Sequence, residues 1–392
     1  MDFDTILPMR AIHNSKWVAL DKSFGIPADQ GIAMSVADSD YPTAPCVVEA
    51  LRAAVDNGTF GYGYDGAGYR AAVAWWLQSR HGWPVDPDWV VSAQGLGHAI
   101  ATCLDIWSDP GEGVAFFTPV YHEFRLKSER AGRRPVELPL ALVNGRYEFD
   151  WAAAEAAITP DTRILLFCSP QNPSGRVWTV EELRQVADFA AQHDLILVSD
   201  EVHADLVYDD AGLRHVPMDV VAPEHRNRTV TLFAASKTFN LAGLRVGQMI
   251  LPDPALRAQV AARMTALNYD PATLGVMATQ AAYSPAGQDW LDAQMRHLAR
   301  NRAIFDDGIN AIPGVRSMPL QSTFLPWVDF SGTGMSAEEV TRRVHGEAKI
   351  GTAPGHWFGT GGDSFHRFNL ALPRARIEDA VARMQAAFAD LQ

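Results

Sequence analysis

The stretch SKTFNLAGLRVG (236–247) carries the strongest signal in the chain, and it directly follows the apolar run TVTLFAA (229–235). Most lysines lie on solvated helix faces, whereas Lys237 stands at the end of a predicted strand among small and hydroxyl side chains. A lysine that reacts with carbonyl groups must be partly desolvated to lose its proton near neutral pH. Ser236 and Arg245 can bind phosphate. The stretch predicts a reactive lysine beside an anion site, although an ordinary surface lysine also fits Lys237 taken alone.

Short apolar runs alternate with amphipathic helical stretches through the middle of the chain. The strand candidates are WVVSA (89–93), GVAFFTP (113–119), RILLFCSP (163–170), LILVSDE (195–201), TVTLFAAS (229–236) and VGQMILP (246–252). Runs that are apolar almost throughout are typical of parallel strands covered on both faces. The alternation predicts βαβ units in a mostly parallel sheet, with ligands bound beyond the carboxyl ends of the strands.

The pattern changes at SPAG (284–287), before a long helical stretch and several segments typical of an α+β unit. We predict a large domain over 46–287 and a small C-terminal domain over 288–392. The first segment, 1–45, is predicted to be an arm that packs on the small domain or on a partner subunit.

Composition excludes several classes of protein. The chain has 392 residues, 47% of them hydrophobic, and a net charge of −13, which argues against nucleic acid or an anionic membrane as the main partner. No run of eighteen apolar residues and no signal peptide is evident. The three cysteines, Cys46, Cys103 and Cys168, lack metal-ligand spacing, so buried free thiols, no metal site and a cytoplasmic location are expected.

Two further polar motifs follow predicted strands. Asp200 ends LILVSD and precedes His203, while Asn172 lies in SPQNPSGR (169–176). By propensity alone these are a strand-terminal aspartate and a Pro/Gly turn. Since ligands bind at the carboxyl ends of parallel strands, Asp200 is also a candidate for the ligand site.

Gly95, Leu96 and Gly97 open a predicted helix, whose first amides are suited to phosphate, although a simple tight turn fits equally. Tyr121 follows another strand and is a stacking candidate or a core tyrosine. Arg367 lies in an apolar stretch, where a guanidinium needs an anionic partner such as a carboxylate.

These motifs, in this order, resemble those of the pyridoxal-phosphate (PLP) enzymes of aminotransferase class I/II. The resemblance implies an α/β fold of the aspartate aminotransferase type, with a mostly parallel sheet in a large domain and a smaller α+β domain. Lys237 would carry PLP covalently and act as general base, Asp200 would pair with the ring nitrogen and Tyr121 would stack on the ring. The implied cofactor-binding set is Gly95, Leu96, Gly97, Tyr121, Asn172, Asp200, His203, Ser236, Lys237, Arg245 and Tyr62.

Tyr62, in FGYGY (60–64), matches a tyrosine that reaches the phosphate of the other subunit, so the resemblance implies a homodimer with shared active sites. Tyr64 is the alternative at this position. The implied substrate is a small amino acid, and the substrate-binding residues would be Ala37, Asn172, Arg367, Tyr41 and Trp357.

Other segments are similar to the MalY/PatB-type branch of carbon–sulfur β-lyases, among them HNSKW (13–17) and SVADSDY (35–41). This similarity implies cleavage of an S-substituted L-cysteine to a thiol, pyruvate and ammonia. Arg245-Val246-Gly247 is instead the aminotransferase form, and STFL (322–325) departs from the lyase pattern. An aminotransferase acting on an L-amino acid and a 2-oxo acid is the alternative, and a regulatory protein on the same fold is a minor one.

Overall fold

The computed structural model describes residues 1–27, 29–61 and 66–391. The strands in these ranges are β1 (Ile32–Ala33), β2 (Val90–Ala93), β3 (Gly113–Thr118), β4 (Arg134–Pro139), β5 (Ala141–Val143), β6 (Arg146–Glu148), β7 (Thr162–Cys168), β8 (Ile196–Asp200), β9 (Thr229–Phe233), β10 (Gly247–Ile250), β11 (Arg316–Ser317), β12 (Trp327–Asp329), β13 (Ile350–Gly351), β14 (Ala353–Pro354) and β15 (Phe365–Arg367). The helices are α1 (Ser15–Val18), α2 (Leu20–Phe24), α3 (Pro45–Asp56), α4 (Ala67–His81), α5 (Leu96–Trp107), α6 (Glu123–Arg130), α7 (Trp151–Ala157), α8 (Val180–Gln192), α9 (Met218–Val221), α10 (Ala235–Thr238), α11 (Pro254–Ala266), α12 (Thr273–Ala282), α13 (Pro285–Asn310), α14 (Ala337–Thr341) and α15 (Arg374–Ala387).

Seven strands form the main sheet in the order β2-β10-β9-β8-β7-β3-β4. Each of the six predicted apolar runs contains one of them, and all neighbouring pairs are parallel except the two that involve β10. The edge strand β4 was not predicted. Its sequence RPVELP alternates in burial and has proline near both ends, a pattern typical of an edge strand that is hard to distinguish from a loop.

Local sequence accounts for where the helices begin. At α8, the Thr179 side chain accepts a hydrogen bond from the backbone N–H of Glu182, whose carboxylate accepts one from the Thr179 N–H in return. At α13, the Ser284 side chain caps the helix and Pro285 takes the first position. The SPAG segment therefore starts the long helix. The predicted domain boundary at 287/288 falls inside α13, and the domain division stays a prediction.

A four-stranded sheet, ordered β11-β12-β15-β14, lies in the C-terminal part of the chain. The N-terminal arm contacts the C-terminal part of the chain through a separate two-stranded sheet, in which β1 pairs in parallel with β13. The assignment of the arm to a small domain or to a partner subunit stays a prediction. Cys103 and Cys168 are buried free thiols, whereas Cys46 is half-buried. In the part of the chain that the structure describes, no helix is long and apolar enough to cross a membrane.

Gly287 marks a close approach between α13 and the end of α12. A Cβ atom at Gly287 would lie 1.8 Å from the carbonyl oxygen of Ala282 and 2.9 Å from its carbon. We expect Gly287→Ala to lower the free energy of unfolding by about 3 kcal/mol, because backbone atoms cannot move aside cheaply. The matched control is Gly346→Ala, whose Cβ would have only Arg342 Cγ nearby, at 3.9 Å. Equal losses of stability in urea unfolding of both variants would contradict this account.

Two buried histidines predict acid sensitivity. His345 and His366 both hydrogen-bond the Thr352 hydroxyl, and burial lowers their pKa values to about 4 and about 3. A histidine in the unfolded chain takes up a proton near pH 6.5. Between about pH 6.5 and pH 4 the unfolded chain therefore binds protons at these two positions, whereas the folded chain does not. Stability is therefore present above pH 6.5 and is lost as the pH falls, by about 2 kcal/mol per histidine at pH 5.

The measurement is urea unfolding at pH 7 and pH 5. We expect His366→Gln to reduce the difference between the two pH values, whereas His13→Gln, at an exposed position, should leave it unchanged. A pH dependence that His366→Gln does not alter would show that this histidine is already protonated in the folded protein.

Candidate active site

A cavity of about 600 Å³ opens at the carboxyl edge of the main sheet. Polar residues at or after the ends of three parallel strands line this cavity. The strand β7 ends at Cys168, shortly before Asn172, and β8 ends at Asp200. The strand β9 is followed by α10, which contains Lys237. The antiparallel strand β10 starts at this edge, so Arg245, two residues before it, also lines the cavity. The topology therefore brings together residues from distant parts of the sequence.

One end of the cavity is built for an anion. The amino end of α5 opens onto it, with Gly95 at the N-cap in a conformation (φ 78°) that favours glycine. Gly247 permits this arrangement, since a Cβ there would lie 2.6 Å from Leu96 Cδ2. Ser236 and Arg245 line the same cavity and add a hydroxyl and a guanidinium.

Lys237 donates a hydrogen bond from Nζ to the carbonyl oxygen of Ala37, at 2.8 Å. Desolvation lowers the pKa of Lys237 to about 8, although the nearby carboxylates of Asp38 and Asp200 favour its charged form. A substantial fraction of the amine is therefore neutral near physiological pH, which a nucleophile or a base requires.

Asp200 and His203 are both buried beside the lysine. Burial raises the pKa of Asp200 to about 7, although the Val202 N–H donates to its carboxylate at 3.2 Å. Burial, with the charges of Lys237 and Arg367, lowers the pKa of His203 to about 3, so this imidazole is neutral. Its Nδ1 atom is buried and has no hydrogen-bond partner among the described residues. A cationic ligand group would hold Asp200 ionised.

Arg367 is only 3% exposed. Its Nη1 donates to Asn172 Oδ1 and its Nη2 to the carbonyl oxygen of Ser35, both at 2.8 Å. Burial lowers the pKa of Arg367 to about 10. Its Nε is buried without a partner, and within residues 1–27, 29–61 and 66–391 no carboxylate forms an ion pair with it. A buried guanidinium that lacks a counter-ion is a strong candidate for binding an anionic ligand.

The segment 35–40 closes this side of the cavity. The Lys16 ammonium is fully buried and lies 2.8 Å from Asp38 Oδ1 and 3.0 Å from Asp40 Oδ1. Burial opposes the charge on Lys16, but the two carboxylates outweigh it and raise its pKa. The Asn369 side chain donates to the carbonyl oxygens of Val36 and Asp38, at 2.7 Å each. The segment is thus held at several points.

The structure brings most of the predicted residues to one cavity. Those that line it are Ala37, Gly95, Leu96, Gly97, Tyr121, Asn172, Asp200, His203, Ser236, Lys237 and Arg245. Arg367 contacts the set through Asn172. Tyr62 and its alternative Tyr64 lie outside the described residues.

Two predicted substrate residues are placed elsewhere. Tyr41 does not line the cavity; it is 2% exposed in the core, where its hydroxyl accepts a hydrogen bond from Gln294 and its ring meets Phe3 edge-on. We therefore remove Tyr41 from the substrate-binding set. Trp357 is half-exposed outside the lining, with its ring 6.4 Å from that of His122.

Sequence reasoning also missed cavity residues. They are Gln94, His98, Ile100, Glu123, Lys127, Cys168, Val202, Ala242 and Val246. Four of them, Gln94, His98, Val202 and Val246, are adjacent in sequence to a predicted residue, and this adjacency is the signal that could have found them. The sequence pattern of HNSKW (13–17) assigns no role to Lys16. Among the described residues, no group of three or more histidine, cysteine or acidic side chains is arranged to hold a metal.

Comparison with known proteins gives consistent relatives. The chain is 32% identical over 394 residues to the cystathionine beta-lyase PatB of Bacillus subtilis, covering 99% of this chain and all of the relative. It is 31% identical to the protein MalY of Escherichia coli over 97% of each chain. The crystal structure of cystalysin from Treponema denticola, which contains pyridoxal 5'-phosphate, superposes with a TM-score of 0.93 at 30% identity over 100% of this chain and 99% of that one.

These relatives confirm the predicted aspartate aminotransferase type of fold, since the likeness extends over both the main sheet and the C-terminal region. The family model of aminotransferase class I and II matches residues 29–384, which include every strand from β1 to β15. The chain belongs to the aminotransferase class I and II family.

Proposed function

We propose that this protein is a PLP-dependent carbon–sulfur β-lyase that cleaves S-substituted L-cysteines to a thiol, pyruvate and ammonia. The observation that carries the proposal is the proximity of two groups. A desolvated lysine suited to act as a base lines the cavity, and a buried arginine that lacks a carboxylate partner among the described residues contacts Asn172 in the lining. Full-length similarity to a cystathionine beta-lyase supports this reaction over others of the family.

The cavity fits PLP by the chemistry of its donors. Its anion end, formed by the start of α5 with Ser236 and Arg245, suits a phosphate. Asp200 is a buried carboxylate that needs a cationic partner, which the protonated ring nitrogen of PLP provides. Lys237 supplies the amine that holds the cofactor, and Tyr121 supplies an aromatic face.

When bound, PLP supplies an electron sink for the negative charge that develops at the substrate Cα. Side chains of the protein orient the substrate and transfer the proton. Arg367 and Asn172 orient the substrate carboxylate, and the Lys237 amine takes the Cα proton as general base. The Asp200 carboxylate keeps the ring nitrogen charged, which favours electron withdrawal. After the Cα proton is lost, the Cβ–S bond breaks, and the departing thiolate takes up a proton to give the thiol. The product that remains is 2-aminoacrylate, and water hydrolyses its imine form to pyruvate and ammonia.

The first test uses PLP-loaded protein with L-cystathionine or an S-alkyl-L-cysteine and without a 2-oxo acid. We expect many turnovers, with pyruvate and thiol released in equal amounts, because a lyase regenerates its cofactor in each cycle. Lys237→Ala should show no turnover and no absorbance from covalently held cofactor. Arrest after about one equivalent, relieved by adding a 2-oxo acid, would identify an aminotransferase instead.

Arg367 gives a second prediction. We expect Arg367→Ala to raise KM for the amino acid at least about 30-fold, since a buried charge-assisted contact to the carboxylate is lost. Arg367→Lys should recover part of the loss, because the charge returns without the planar fork. PLP content, read from absorbance, should not change in either variant. The matched control is Arg374→Ala, whose guanidinium pairs with Asp4 outside the cavity; an unchanged KM in Arg367→Ala would assign Arg367 a structural role.

We also propose that the enzyme works as a homodimer in the cytoplasm. Exposed apolar side chains near the predicted interface element support the dimer, with Val55 57% and Phe60 65% exposed. Phe60 belongs to FGYGY itself and Val55 lies in α3 shortly before it in sequence, and exposed apolar side chains of this size can be covered by another subunit. The contribution of Tyr62 to a neighbouring phosphate site and the cytoplasmic location stay predictions from the sequence.

A further inference from the structure

A second cavity, of about 330 Å³, lies between the N-terminal arm and the start of α15. We name it the arm cavity. Its walls are largely apolar and include Leu7, Pro8, Met9, Trp17 and Pro373. The volume lies at the lower end of the range for small-molecule sites. The arm cavity shares no lining residue with the cavity around Lys237.

Two arginines flank the indole of Trp17 in the arm cavity. The guanidinium carbon of Arg10 lies 5.9 Å from the ring centroid, and that of Arg376 lies 5.4 Å from it. The Nε atoms of both, and Nη2 of Arg10, are buried without a hydrogen-bond partner among the described residues. One side of each guanidinium is thus packed within the protein, and this packing fixes the position of the charge.

The other nitrogens of Arg10 and Arg376 have no protein partner among the described residues either. In the described ranges, neither arginine forms an ion pair or donates a hydrogen bond from its side chain. This is unusual in a chain with a net charge of −13, where carboxylates outnumber basic groups. The arm cavity is therefore lined by two guanidinium groups without a counter-ion among the described residues, together with several apolar side chains.

Two carboxylates, on Asp29 and Asp40, also line the arm cavity and could neutralise the charge of the arginines. Asp40 is committed elsewhere, since it accepts from Trp17 Nε1 at 2.8 Å and pairs with the buried Lys16 at 3.0 Å. Asp29 is exposed to solvent and pairs with neither arginine. The carboxylates thus leave the charge of Arg10 and Arg376 available.

We propose that the arm cavity is a second binding site, for a small carboxylate with an apolar or aromatic body. The planar guanidinium groups match a carboxylate, while Trp17 and the aliphatic walls match an apolar body. The apolar part of the lining favours such an acid over a free phosphate, because these side chains offer no donors to the remaining phosphate oxygens. The site is separate from the binding of substrate at Arg367 and does not depend on the proposed reaction.

The probe is 4-fluorophenylacetate, followed by ligand-observed ¹⁹F NMR on the PLP-loaded protein. We expect saturable binding that Arg10→Gln/Arg376→Gln weakens about ten-fold or more. Ala11→Phe should weaken it too, because Ala11 is an exposed lining residue and the larger side chain fills the cavity without changing charge. Arg296→Gln, an exposed arginine outside the arm cavity, is the matched control and should bind normally.

Three further outcomes are decisive. Arg367→Ala should retain the binding; loss in this variant, with retention in Arg10→Gln/Arg376→Gln, would place the probe in the substrate site and overturn the proposal. Equally tight binding of the neutral 4-fluorophenylacetamide would overturn the role of charge. Displacement of the probe by inorganic phosphate at similar concentration would overturn the preference for an apolar acid. Circular dichroism establishes that each variant is folded, and Ala11→Phe tests the site even if the double variant is not.

Discussion

Buried cations that need oxygen partners hold this structure together at its functional end. Lys237, Arg367 and Lys16 each donate to a backbone carbonyl of the segment 35–40, on Ala37, Ser35 and Asp38 respectively. Removing such charges from water is costly unless oxygen atoms replace the lost hydration. These three hydrogen bonds hold segment 35–40 in place, and the segment contributes Ala37 to the lining of the cavity.

The same desolvation that makes these contacts necessary makes the site reactive. It lowers the pKa of Lys237 towards neutrality and raises that of Asp200, so that each group is held near the point at which it changes charge. Opposite shifts in neighbouring groups are a common mark of acid–base sites. Arg367 differs, since its pKa stays far above neutral pH even after burial, and it serves as a permanent charge.

Much of this arrangement could be predicted from the sequence, because it follows local patterns. The six apolar runs are strands, and the polar residues that follow them meet at one edge. The features that the sequence does not predict have physical causes. The edge strand β4 lacks a continuous apolar run, because one of its edges has no neighbour. Tyr41 follows segment 35–40 closely, but sequence order does not reveal that its ring turns into the core. The role of Lys16 depends on the carboxylates of Asp38 and Asp40, with which its ammonium forms ion pairs although both lie far along the chain from it.

The pairing of β1 with β13 has a consequence for the order in which the protein matures. Met34 donates to the carbonyl of Gly351, and the contact between Ser35 and Arg367 spans 332 residues. During synthesis the N-terminal arm leaves the ribosome first, yet two of its contacts, with β13 and with Arg367, are made by the last part of the chain to emerge. The main sheet and its cofactor groups are complete before then. The buried contact of Arg367 with the arm therefore forms only near the end of synthesis, and a chain truncated before β13 lacks it.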